Sequence, residues 1–399
     1  MSEARINRIS NESGTGGPTL SGITTFSGLN YFVPPKGTTA ERPSNAPPGS
    51  LRFNTDSAHI EYFDGLQWLD FEAFNVEIGI STAAAPASSG TGHRAVFGGG
   101  YAPGDQNTID YITISTRGNA IRFGDLTVKR RPGGSCSDRT RGIWMGGRQS
   151  FAAPIGLAAG NTIDFITISS TGQATDFGDT TQFAQFGNAF SNSTRGVYGG
   201  GSSRTPFVPA TDGSTNVICY VTIQSLGDAQ DFGDLSITYH ALGACSSSTR
   251  GLFGGGYQPT TPTTILNNVD YVTISTLGNS IDFGDLTQGR AQVAACSNAT
   301  RGVFCSGATS FPSGSVNTID YVTIASTGNA VDFGDRSIIG NARELSATSS
   351  PTRAIFAGGY IINVIDSVEI ASTGNAIDFG DLSQSRLGTK SCSNGHGGL

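Results

Sequence analysis

Short β-type runs separated by glycine and asparagine set the pattern of the chain. From Asn107 it reads NTIDYITISTRGNAIRFGDLT: a run rich in β-branched and aromatic residues, a turn at Gly118-Asn119, then a second run ending in FGD. This 21-residue cassette recurs without insertion at Asn161–Thr181, Asn216–Ser236, Asn267–Thr287, Asn317–Ser337 and Asn363–Ser383. Ahead of each copy stands a short apolar run opened by arginine and closed by small residues, such as RAVFGGG from Arg94 and RGLFGGG from Arg250. Successive arginines lie 47, 54, 55, 51 and 52 residues apart, a period typical of solenoids, propellers and arrays. Neither element shows the 3.6-residue period of a helix.

Each unit therefore predicts four short strands: one from the arginine run, two from the cassette, and one from the connecting segment. That segment is 13 residues long in four of five cases and 15 in the fifth. The fold class expected is all-β, a six-bladed kelch-like β-propeller. After the sixth cassette, 384–396 repeats the connecting pattern, so the end of the chain is expected to supply a strand to the first blade. Length variation concentrates in the loop between arginine run and cassette, which ranges from 3 to 14 residues. Insertions confined to one face mark a binding face. Its candidate residues are Tyr101, Phe151, Arg204, Phe207, Tyr257, Phe311 and Tyr360. The alternative is that these aromatics pin their own loops.

Ahead of the repeats the pattern changes. Residues 1–50 are rich in Ser, Thr, Gly and Pro and show no period, which predicts an extended arm ordered by a partner. Residues 51–80 carry LRF, HIEYF, a turn at Asp64-Gly65 and LQWLDF, which predicts a small β-hairpin module and linker. The propeller is assigned to 81–399.

Composition narrows the function. Glycine is 56 of 399 residues and charged residues are 14%, which excludes a coiled coil or a charged disordered chain. The net charge is −7 with no basic block, so no nucleic-acid footprint is expected. No apolar run is long enough for membrane insertion, and MSEARINR does not open a secretory signal. Six cysteines in a chain of this length read as buried free thiols, and four scattered histidines predict no metal site and no cofactor. Two charges recur in every unit: Arg94, Arg141, Arg195, Arg250, Arg301 and Arg353, and the FGD aspartates Asp125, Asp179, Asp234, Asp285, Asp335 and Asp381. Sixfold repetition points to architecture, expected as one Arg–Asp or Arg–backbone tie per blade. The same repetition removes the kinase reading of DFG, and no helix or GK[ST] follows the glycines to make a phosphate loop.

The motif LTQGR (Leu286–Arg290) with the glycine doublet after Phe253 resembles kelch-type repeats, although the kelch tryptophan of the last strand is absent. More specifically, the repeats (RGVFCSG, NTIDYVTIASTGNAVDFGD), the SNGHGG of Ser393–Gly398, and the segment Gly37–Trp68 resemble virion structural proteins of tailed, T4-like phages of cyanobacteria, with tail-fibre or appendage character. That resemblance implies a non-enzymatic structural protein of the virion, assembled in the host cytoplasm. Residues 1–72 would dock on other virion proteins, and the propeller would face a host-surface glycan or protein, in host attachment. A homo-oligomer, a trimer as in many fibres, is among the assemblies it implies. The alternatives are a kelch-like propeller enzyme and an intracellular protein-interaction scaffold.

Overall fold

The computed structural model describes residues 34–57, 59–70, 93–150, 157–202, 213–258, 263–311, 314–338, 340 and 342–399. The chain divides into two compact units, 1–91 and 92–399.

In the first unit, Leu51–Asn54, His59–Phe63 and Trp68–Asp70 pair antiparallel in sequence order. The Asp64 carboxylate caps the predicted turn by accepting from the amides of Leu66 and Gln67 at 2.7 and 2.8 Å. The sheet also takes in Lys36–Gly37, which pairs parallel with Phe53–Asn54. A 3-10 turn at Thr39–Glu41 follows. Both lie in the segment expected to be an extended arm. The reason is side-chain chemistry rather than period: buried Glu61 accepts from Arg42 at 3.1 Å and Asn54 at 3.2 Å, anchoring residue 42 beneath the hairpin.

The second unit is all-β, built from repeated four-stranded antiparallel sheets of β-propeller-like class. Sheet 3 is representative, with strands Asn188–Ser191, Arg195–Gly199, Val217–Thr222 and Gln230–Asp234 in spatial order. Its fellows follow the same order, and sheets are numbered here by their cassettes. Sheet 1 takes its first strand from the end of the chain: Lys390–Ser393 pairs antiparallel with Arg94–Gly98, with Cys392 opposite Val96. Each cassette carries a β-bulge ahead of its Asp or Cys, for example between Ile218 and Cys219.

The core lies between sheets. Six apolar clusters each join two consecutive sheets, and one of them packs Ile355, Ile365 and Phe379 of sheet 6 against Phe97, Ile112 and Ile114 near sheet 1. Both faces of the inner strands are thereby largely buried, so those strands read as near-continuous apolar runs, whereas each FGD strand opens on two exposed residues. Removal of each large side chain from water contributes roughly 1.5–3 kcal/mol. All six cysteines are free and buried. Burial pushes the thiols of Cys219 and Cys305 up to about 11 and those of Cys245 and Cys392 to about 12, leaving them protonated and inert.

Candidate functional site

The recurring arginines reach across sheet boundaries. Nη1 of Arg94, Arg141, Arg195, Arg250, Arg301 and Arg353 donates to the carbonyls of Ile168, Ile223, Ile274, Ile324, Ile370 and Ile114 respectively, at 2.8–3.2 Å. Each partner belongs to the following unit, and the last belongs to the first. Five of these guanidiniums also lie over an aromatic ring of their own sheet, as Arg195 does over Tyr220 at 4.9 Å. Where sheet 6 has Ser367 in place of the ring, Arg353 pairs with Glu369 at 2.9 Å instead.

The FGD carboxylates are not the partners of these arginines. Among the described residues no ion pair joins the two sets, and Asp125 pairs with its neighbour Arg122 at 2.7 Å. What FGD supplies is backbone. The carbonyls of Phe232 and Asp234 accept from Gly278 and Ser280 of the next unit at 2.8 Å each, and Asp234 N–H donates to Asn279 Oδ1 at 3.0 Å. The FGD glycine is required here: at Gly233 φ is +146° and an added Cβ would sit 2.5 Å from the Gly278 carbonyl. A strand edge thus docks on the neighbour's G-N turn.

The buried ion pairs use other residues. Arg130–Asp164, Arg290–Asp320, Arg336–Asp366 and Arg386–Asp110 each join one unit to the next, with side chains wholly buried. Their aspartates are those of the IDY-type positions, and they also accept from hydroxyls just after FGD, such as Ser383 and Ser337 at 2.6 Å. At the boundary of sheets 2 and 3 both partners are absent together: Ala184 fills the arginine slot and Cys219 the aspartate slot, both in one apolar cluster. Burial lowers the Arg386 guanidinium below its ordinary range, while Asp110 pulls it back up.

Sequence reasoning also missed a circuit of serines. The hydroxyls of Ser191, Ser246, Ser297 and Ser349 donate to the carbonyls of Ser137, Ser191, Ser246 and Ser297 at 2.6–2.7 Å. Ser393 donates to Ser349, and Ser137 donates to Ser393. The signal available was a serine at the same place in every connecting segment. These strands line one channel, and His396 enters its end. Its Nε2 lies 2.8 Å from the Ser137 carbonyl, and its Nδ1 accepts from the Gly398 amide at 3.1 Å.

The other end of the channel opens as a mouth of about 490 Å³, counting space open to solvent, with Arg131, Arg148, Phe186, Gln292, Glu344 and Lys390 among its lining residues. Phe186, Ala241, Gln292 and Glu344 adopt left-handed backbone at equivalent positions, with φ between 54° and 60°. That conformation costs a non-glycine residue roughly 1–2 kcal/mol. It directs the Ala241 and Gln292 amides onto the carbonyls of Phe186 and Ala241 at 2.6 Å each.

The loop aromatics stand beside this mouth on intramolecular partners. Tyr101 lies under Arg131 at 4.2 Å, and Tyr360 under Arg343 at 4.6 Å. Tyr257 packs on His240 at 4.0 Å and on Phe311 at 5.2 Å. Tyr101, Phe311 and Tyr360 remain 36–42% exposed, so each is both a loop anchor and a surface. Phe151, Arg204 and Phe207 lie outside the described residues. Among the described residues no group of His, Cys, Asp and Glu is arranged to hold a metal ion, and no helix is long and apolar enough to cross a membrane.

Comparison of the chain with protein-family models and with curated proteins returned no match.

Proposed function

We propose that the six sheets close into one six-bladed propeller, and that the chain is a non-enzymatic structural protein of a phage virion. Residues 1–72 anchor it to other virion proteins, and the loop face is displayed towards a host-surface ligand. What supports this reading is that the repeated polar groups serve sheet-to-sheet bonding, while Tyr101, Phe311 and Tyr360, from three of the variable loops, are partly exposed. Closure is supported by the bond from Arg353 of sheet 6 to the Ile114 carbonyl that follows a sheet 1 strand, and by Arg386 of the last connecting segment, which pairs with Asp110 of sheet 1. The virion assignment draws on the resemblance of the repeats and of Gly37–Trp68 to phage appendage proteins.

The test is cryo-electron microscopy of purified particles that carry the chain. The reading expects density for residues 1–72 inside a neighbouring virion protein, with the loop face outward. A loop face packed against other virion proteins would overturn host attachment, and absence of the chain from particles would overturn the virion role.

A further inference from the structure

The channel mouth carries a charge arrangement that sheet-to-sheet bonding does not explain. Arg131 and Arg148 are cross-strand register partners, which sets two guanidiniums side by side on antiparallel strands. Like charges in that position are destabilising. Lys390 adds a third cation to the same lining, and none of the ion pairs among the described residues engages Lys390 or Arg148. Asp105 and Glu344 each form an ion pair with Arg131 at 3.7 Å, so two carboxylates offset part of three cations and leave one positive charge in excess. Arg148 Nε, Gln292 Oε1 and Glu344 Oε2 are buried without hydrogen-bond partners. Buried groups left in that state cost roughly 1–3 kcal/mol each.

We infer that the mouth is a binding site for a sugar acid, a carboxylate carried on a hydroxyl-bearing six-membered ring. A guanidinium presents two parallel N–H donors that match the two oxygens of a carboxylate, and Arg131 and Arg148 bring two guanidiniums to the mouth. Lys390 offers a further ammonium to the same charge. Gln292 and Glu344 supply acceptor oxygens for ring hydroxyls, and Phe186 and Leu242 supply apolar surface for the C–H face of the ring. The inference rests on the closed propeller proposed above, because the lining residues come from the whole circuit of units. It does not rest on the virion role.

Calorimetric titration of the full chain with the methyl glycoside of glucuronic acid tests it, with methyl glucoside and inorganic phosphate as comparison ligands. Binding of the uronate in preference to both, weakened about tenfold or more in Arg148→Gln and in Lys390→Met, is the expected result. No uronate binding, equal binding of the neutral sugar, or phosphate binding as tight as uronate would overturn the inference. Trp144 reports the seat of the last strand against sheet 2 independently, since it is fully buried, shares an apolar cluster with Cys392, and its Nε1 donates to the Lys390 carbonyl at 3.0 Å. Blue-shifted Trp144 emission in a Trp68→Phe background, without uronate binding, rejects the sugar-acid site alone. Solvent-like emission rejects the closed propeller and the site with it. The same emission, measured in both variants, shows that they are folded.

Discussion

Replacing Arg386 by methionine removes a side chain that joins the last connecting segment to sheet 1. Its Nη1 donates to the carbonyl of Thr108 at 2.7 Å and its Nη2 to the Asp110 carboxylate at 2.7 Å, all of them buried. The variant keeps the volume but leaves Asp110 with hydroxyl and amide contacts from Ser383 alone. Removal of one member of a buried pair costs about 3–5 kcal/mol, because the other charge is left uncompensated. For a unit of about 300 residues, an unfolding entropy of about 2.1 cal/mol/K per residue gives about 0.6 kcal/mol/K, so the midpoint should fall by about 5–8 °C. The double variant Arg386→Met with Asp110→Leu removes both charges and should be more stable than the single one. The molecule supplies a precedent at Ala184 and Cys219, where both partners are replaced. Scanning calorimetry at neutral pH, with urea unfolding as a second probe, measures the cycle. A single variant within about 1 °C of the parent, or a double variant that loses the sum of the two single losses, would refute the reasoning.

Other consequences follow from the same geometry. His396 is held neutral, its pKa lowered to about 4 chiefly by burial, with the Ser137 carbonyl and Asp138 opposing that shift. The unfolded chain therefore takes up this proton first as pH falls. The stabilisation is complete above about pH 6.5 and is lost towards pH 4, with roughly 3 kcal/mol as an upper bound. Urea midpoints across that window should fall less steeply for His396→Gln, and identical slopes would contradict the assignment. Gly233→Ala should cost about 2–4 kcal/mol through its Cβ clash and its φ of +146°. Gly172→Ala, with open space at its Cβ, should stay within about 0.5 kcal/mol, and equal losses for the two would refute the docking role of FGD. The six buried thiols should stay unmodified by an aqueous thiol reagent until the chain is unfolded, and modification of Cys245 or Cys392 in the native state would contradict their placement.

The repeat made the sheets readable, because a run of β-branched and aromatic residues closed by a G-N turn constrains strand and turn together. Residue identity also marked out Arg94 and its equivalents, but their partners are backbone carbonyls, which leave no mark in a sequence. The Arg386–Asp110 pair was hidden by separation along the chain, and Arg336 by its displacement from the slot that Arg130 and Arg290 occupy. Lys36–Gly37 escaped notice because two residues of parallel pairing carry no period. The channel mouth was the least legible part. Nothing in Phe186 or Glu344 announces a left-handed backbone, which arises from the demand to reach a neighbouring unit.

Ring closure rests on the joint between strand Lys390–Ser393 and the first sheet. Val96 and Cys392 are register partners there and share one apolar cluster. In a Val96→Cys variant refolded from urea in a glutathione redox couple, so that both thiols are accessible before the joint closes, peptide mapping should find the introduced thiol linked to Cys392 within a single chain. A monomer in which those two thiols stay unlinked, or a link found only between chains, would contradict a propeller closed by its own last strand.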